Sequence, residues 1–150
     1  MLGTEKGKPV EILLVEDNPG DVRLTKEALK ESKIINNLHV VENGIEAMSF
    51  LKQEGDYKDM PEPDLILLDL NLPKKDGREV LADIKEDERL KRIPVVILTT
   101  SSADEDILHT YNLHANCFIT KPVDMNQFTK VVKNIGDFWF SIVKLPKRED

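Results

Sequence analysis

The sequence has one cysteine, no apolar run near the length of a membrane span, and no excess of basic residues. A single thiol, Cys117, cannot close an intrachain disulfide, so the expected setting is the reducing cytoplasm. Cys117 lies between Asn116 and Phe118 in a strand-like stretch and is expected to be a buried structural thiol. A membrane span needs roughly 20 apolar residues in a row, and none is present. Lys and Arg number 21 against 28 Asp and Glu, a formal charge of −7. That balance argues against nucleic acid, whose phosphates need clustered cations, and against anionic membranes. The three histidines, His39, His109 and His114, are scattered with no partner at zinc-ligand spacing and are expected at the surface. Residues 1–9 read as a short disordered lead, because Met1–Lys8 holds no apolar stretch of the signal-peptide kind. No repeat, low-complexity segment or linker divides the 150 residues, a length that fits one domain.

What is present is an alternation of strand and helix signals. Val10–Val15 is an apolar run with β-branched members, stopped by Glu16, Asp17, Asn18, Pro19 and Gly20. A helix follows, with Asp21 expected as its cap and Leu24, Ala28 and Leu29 on its inner face. His39–Glu42 reads as a second strand, Asn43-Gly44 as a turn, and Ile45–Gln53 as a helix carrying Ala47, Met48 and Leu51 inward. Glu54–Pro63 is a long polar loop. Asp64–Leu68 is a third strand ended by Asp69, and a helix marked by Val80, Leu81 and Ile84 comes next. Pro94–Leu98 is a fourth strand ended by Thr99. A helix over about Asp104–Tyr111 leads to a fifth strand, Asn116–Ile119. The last helix is expected from Asp124 to about Val143. Five strands alternating with helices give βαβ units and a parallel sheet. The uninterrupted apolar strands are those of a sheet covered on both faces. The expected fold is therefore α/β: a doubly wound, five-stranded parallel sheet of flavodoxin-like type, in order 2-1-3-4-5.

In such a sheet all C-terminal strand ends lie on one edge, where ligands bind. That edge collects Glu16 and Asp17, then Asp69, then Thr99, then Thr120 and Lys121. Taken singly, each is an ordinary turn or cap residue; their joint placement is the signal. Three clustered carboxylates repel and need a cation, and an all-oxygen set with room for water suits Mg²⁺. Such an ion can bridge a carboxylate and a phosphoryl oxygen during in-line attack. A carboxylate can itself be the nucleophile and form an acyl phosphate. Asp69 is the candidate, because it ends the most apolar strand and so sits centrally. Glu16 and Asp17 are the expected metal pair, joined by Asp69 and the backbone carbonyl of Asn71. Lys121 would pair with the phosphoryl charge. Thr99 would bond a phosphoryl oxygen only after it arrives, which makes it a candidate switch.

These segments resemble the receiver domains of bacterial response regulators. The resemblance is carried by Leu13-Leu14-Val15-Glu16-Asp17-Asn18, by Asp64-Leu65-Ile66-Leu67-Leu68-Asp69-Leu70-Asn71-Leu72-Pro73, and by Asp76-Gly77. Pro94-Val95-Val96-Ile97-Leu98-Thr99 and Phe118-Ile119-Thr120-Lys121-Pro122 complete it, in the family's order and spacing. It covers about Val10 to Ile135. The resemblance implies phosphotransfer from a sensor histidine kinase to Asp69, Mg²⁺ beside Glu16 and Asp17, a cis Lys121–Pro122 bond, and an aromatic switch role for Phe118. It also implies a protein that is not a conventional enzyme, with Mg²⁺-dependent self-phosphorylation from small phosphodonors and autodephosphorylation. One departure is Thr100, where many receivers carry Ala, Gly or Ser; a β-branched residue there is expected to narrow access to Asp69. More narrowly, the chain is similar to the stand-alone regulators that partner bacterial and cyanobacterial phytochrome kinases. The Glu54–Pro63 loop, the Asn71–Gly77 segment and an aromatic last helix all fit that group.

On this reading residues 10–143 form the receiver domain and residues 144–150 a solvated tail. Too little chain follows Lys121 for a DNA-binding output domain, so the signal is expected to leave by contact with a downstream protein. In the last helix Phe128, Val132, Ile135, Trp139 and Ile142 make one apolar stripe. Val131, Phe138 and Phe140 lie off it and suggest a homodimer interface. A relay intermediate that hands its phosphoryl group to a histidine phosphotransfer protein is an alternative output. Three rivals are weaker. A phosphatase of the haloacid dehalogenase type wants a second Asp where Asn71 stands. A nucleotide or flavin binder wants a phosphate-cradling loop where Glu16 and Asp17 stand. A scaffold that never meets phosphate has no use for the full set of site residues.

Overall fold

A computed structural model describes residues 9–32, 35–100, 117–124, 126–128 and 130. Strands β1 (Val10–Val15), β2 (Asn36–Val41), β3 (Leu65–Asp69), β4 (Val95–Thr99) and β5 (Cys117–Thr120) form one sheet in the order β2-β1-β3-β4-β5. Every pairing is parallel. Helices α1 (Pro19–Ser32), α2 (Gly44–Leu51) and α3 (Gly77–Glu86) connect them, and residues 126–128 and 130 are helical. Topology and strand order are those expected from the sequence. The helix expected over Asp104–Tyr111, the start of the fifth strand at Asn116 and the stretch to Val143 lie outside the described residues. So do His109, His114, Val131, Phe138 and Phe140.

The double-sided burial has a direct cause in the strand sequences. Successive side chains of a strand point to opposite faces, and β1, β3 and β4 are aliphatic at nearly every position. One face therefore carries Leu13, Val15, Ile66, Leu68, Val95 and Ile97, packed under Phe50 and Leu51 of α2 and Val80, Leu81 and Ile84 of α3. The other carries Val10, Ile12, Leu14, Leu65, Leu67, Val96 and Leu98, packed under Ala28 and Leu29 of α1, with Val123 and Phe128. Each fully buried aliphatic contributes about 1.5–3 kcal/mol. The stability of the sheet thus sits in its three central strands, directly beneath the residues at their ends.

Several local expectations are corrected. Asp21 does not cap α1. Asn18 does, accepting the Asp21 amide on its Oδ1 at 3.0 Å, and Pro19 takes the first helical position, where its missing N–H costs nothing. Leu24 is 37% exposed rather than facing inward. The buried residue of that turn is Thr25, whose hydroxyl donates to the Asp21 carbonyl at 2.9 Å. Strand β2 begins at Asn36, three residues before the expected His39, because the register with β1 continues through Asn37 and Leu38. An edge strand needs little apolar signal, so its polar start reads as loop. Asn43 is a helix cap rather than a turn residue; its side chain accepts the Glu46 amide at 2.9 Å. His39 is half-buried rather than a surface residue, with Nε2 2.8 Å from Glu11 Oε1 and its ring against Phe50. Cys117 is half-buried rather than fully buried.

Gly77 is needed for a close approach. A Cβ there would stand 2.4 Å from the Asp69 carbonyl oxygen and 2.6 Å from the Leu70 Cα, both backbone atoms that cannot swing away. Gly77→Ala is expected to cost about 1–3 kcal/mol, the usual range for forced overpacking. Urea denaturation measures it, and an unchanged midpoint would show that α3 does not need this contact.

Candidate functional site

The site grows from the C-terminal ends of four neighbouring strands. Glu16 follows β1, and its amide bonds the Val41 carbonyl at 3.0 Å, tying the ends of β1 and β2 together. Its side chain is turned inward and is 0% exposed. Asn18 N–H donates to Glu16 Oε2 at 3.2 Å. Asp17, next in the chain, is exposed. Asp69 closes β3 and is 3% exposed. Its Oδ1 accepts the Asn71 amide at 3.0 Å and its Oδ2 accepts from Lys121 Nζ at 3.0 Å. Thr99 closes β4 and is buried; its carbonyl accepts the Lys121 amide at 2.7 Å. The Lys121–Pro122 bond is cis, as the resemblance implied.

Lys121 is the only cation that the described residues bring among these carboxylates. Its Nζ is 2.9 Å from Glu16 Oε1, 3.0 Å from Asp69 Oδ2 and 3.1 Å from Asp21 Oδ2. The approach to Glu16 is a charge contact without hydrogen-bond alignment, so Glu16 Oε1 stays a buried oxygen with no donor. Burial alone would lower the Lys121 pKa, but the contacts with Glu16, Asp69 and Asp21 outweigh it and raise the value. Glu16 moves the same way for a different reason. Burial raises its carboxyl to about 7, and the nearby Asp69 charge adds to this against the opposing pull of Lys121.

One ammonium does not neutralise this much acid. Carboxylate oxygens of Glu16, Asp17 and Asp69 lie within 4.8 Å of one another. With the orphaned Glu16 Oε1 and the open side at Asp17, they make an all-oxygen set suited to a hard divalent cation that keeps some of its water. The structure thus brings Glu16, Asp17, Asp69, Thr99 and Lys121 to one edge of the sheet. Asn71 is exposed beside them with its amide on Asp69, and Thr100 is exposed at the end of β4. Phe118 is half-buried against the core face shared by α2 and α3.

Two further residues were not legible as part of this site. Asp21 reaches Lys121 from the first turn of α1, although its sequence position reads as a cap. Gln127 bridges the turn that carries Lys121: its Oε1 accepts the Thr120 amide at 3.0 Å and its Nε2 donates to the Pro122 carbonyl at 3.0 Å. Asp124 caps the same turn by accepting the Gln127 amide at 2.9 Å. No periodicity marks a glutamine for such a role.

The family model of the response regulator receiver domain matches residues 12–133. The chain belongs to that family. It is 51% identical over 145 residues to the response regulator Rcp1 of Synechocystis sp., covering 97% of this chain and 99% of that protein. Among solved structures it resembles the phosphorylated cyanobacterial phytochrome response regulator RcpA, with 55% identity and a TM-score of 0.73, covering 89% of this chain and 96% of the other. It also resembles the Mn²⁺-bound form of Rcp1, with 53% identity and a TM-score of 0.73, covering 87% of this chain and 94% of the other. Receivers work by phosphorylation of an aspartate and as a family are not conventional enzymes. Among the described residues, no helix is long and apolar enough to cross a membrane.

Because Gln127 holds both flanks of Lys121, Gln127→Ala is expected to cost about 1 kcal/mol, the net worth of exchanging such bonds for water. Hydrogen exchange at the Thr120 amide should speed up while exchange in β1 stays unchanged. Unaltered exchange at Thr120 would mean that the turn holds itself.

Proposed function

We propose that this chain is a stand-alone regulator that accepts a phosphoryl group on Asp69 from a sensor histidine kinase of phytochrome type. It then signals through contact with a downstream protein. The observation that carries this reading is the buried Asp69 carboxylate held between the Lys121 ammonium and the Asn71 amide, 3.0 Å from each. The donor-set chemistry supports Mg²⁺ on Glu16, Asp17, Asp69 and the backbone carbonyl of Asn71. When bound, such an ion neutralises charge on the transferring phosphoryl group. The kinase assignment rests on the relatives, one of which is named as a phytochrome response regulator.

The chain's own residues supply the rest of the chemistry. An Asp69 oxygen attacks phosphorus in line, the bond from phosphorus to the donor's imidazole nitrogen breaks, and its electron pair returns to the ring. The product is an acyl phosphate on Asp69. Lys121 turns its ammonium from the Asp69 carboxylate to a phosphoryl oxygen. The Thr99 hydroxyl donates to a second oxygen, and Phe118 follows that shift inward. The burial of Thr99 and of Asp69 supports this, because few waters compete there. Small phosphodonors such as acetyl phosphate would serve in place of the kinase, and water would later remove the group. A cytoplasmic setting agrees with this partner. A homodimer through Val131, Phe138 and Phe140 rests on sequence pattern alone.

Incubation with acetyl phosphate and Mg²⁺ should add one phosphoryl group, seen by intact-protein mass spectrometry. The gain should vanish with a chelator and in Asp69→Asn. Persistence of the gain in Asp69→Asn would place the acceptor elsewhere. Mg²⁺ at about 100 times its Kd should stabilise the fold by about 2.7 kcal/mol. Asp17→Asn should remove most of that gain; an undiminished gain would remove Asp17 from the metal set.

A further inference from the structure

We propose that Asp21 is a positioning residue that restrains the Lys121 ammonium and thereby slows phosphoryl acceptance at Asp69; this rests on the reading of Asp69 as acceptor. The geometry is that of a shared cation. Three carboxylates stand within 3.1 Å of one ammonium nitrogen, but they are not equivalent. Asp69 holds the aligned hydrogen bond. Glu16 and Asp69 also belong to the carboxylate group that can hold a cation; Asp21 does not. Among the described residues of the site, the Asp21 carboxylate pairs with Lys121.

The position of Asp21 is fixed by its surroundings. Its amide is held by the Asn18 side chain at 3.0 Å, and its carbonyl accepts from the buried Thr25 hydroxyl at 2.9 Å. The carboxylate therefore projects from a stiff first turn of α1. Its side chain is 23% exposed, so water weakens its pull on Lys121 without cancelling it.

Phosphoryl transfer changes what surrounds the ammonium. The Asp69 carboxylate becomes a neutral acyl carbonyl, and the N–H it held must turn to a phosphoryl oxygen. Asp21 opposes that turn by attracting the ammonium toward α1. Removing the charge while keeping the shape should therefore speed acceptance.

Asp21→Asn should raise the rate of phosphorylation by acetyl phosphate at saturating Mg²⁺ roughly fivefold, the size of a partly exposed ion pair near 1 kcal/mol. The acceleration should shrink as salt is added. Asp21→Glu should return the rate most of the way to that of the native chain. In a Lys121→Met background, Asp21→Asn should change the rate less than twofold. A rate unchanged or lowered in Asp21→Asn overturns the proposal. So does equal acceleration without Lys121, which would make Asp21 a source of field rather than a restraint on the ammonium. Should Lys121→Met accept too little phosphoryl to follow, the ¹⁵Nζ resonance of Lys121 decides: it should move in Asp21→Asn without any donor, and an unmoved resonance overturns the proposal. No uptake by the native chain removes the Asp69 reading and this one with it. Uptake that Asp21→Asn does not speed removes this one alone.

Discussion

The geometry of the site depends on one ammonium held among buried carboxylates. Glu16 and Asp69 lie at the ends of two of the three buried central strands, where an isolated charge would carry a heavy desolvation cost. Lys121 offsets part of that cost, and it can do so only because the Thr120–Pro122 turn carries it across from the far side of the sheet. The Thr99 carbonyl and the Gln127 side chain hold that turn in place. The remaining acid excess, with the orphaned Glu16 Oε1, makes the site an all-oxygen set suited to a divalent cation. Stability and chemistry are coupled here, since the same excess charge that burial makes costly is what suits the site to a divalent ion.

The central sheet was legible because its code is redundant. β1, β3 and β4 are aliphatic without alternation, and only burial on both faces explains that pattern. Once the strands are parallel, the convergence of Glu16, Asp17, Asp69, Thr99 and Lys121 follows from topology with no knowledge of side-chain angles. What failed to read was of two kinds. Edge structure such as Asn36 and Asn37 of β2 is stabilised by backbone pairing to one neighbour, which leaves little trace in composition. Residues such as Asp21 and Gln127 act through a single long-range contact. Asp21 stands in the helix's first turn, where an acid is favoured by the helix dipole in any case. Its local role and its distant one share the same letter.

Two glycines show how tightly the loop after Asp69 is packed. A Cβ on Gly77 would meet the Asp69 and Leu70 backbone, and a Cβ on Gly44 would stand 2.0 Å from the Lys75 carbonyl oxygen. The loop between β3 and α3 is thus pressed from both sides by the starts of two helices. Both helices carry side-chain caps, Asn43 on α2 and Asp76 with its reciprocal Glu79 on α3. Asn71 belongs to this clamped loop, so its position relative to Asp69 is fixed by backbone contact more than by its own exposed side chain.

The clamping also indicates where a signal can travel. β1 and β3 are walled in by helices on both faces, and the loop after β3 is wedged between two helix starts. The other side of Asp69 carries Thr99, Lys121 and Phe118. β5 is short, Cys117 and Phe118 are half-buried, and the turn after it is held by the Thr99 carbonyl and the Gln127 side chain. Thr99 and Lys121 share a backbone hydrogen bond, so drawing both toward a new anion at Asp69 would move them as one unit. Phe118, on β5 three residues before Lys121, packs against the α2–α3 core face and would register that movement. On the proposed chemistry, the buried end of β3 holds the acceptor still, and Thr99, Lys121 and Phe118 carry the response.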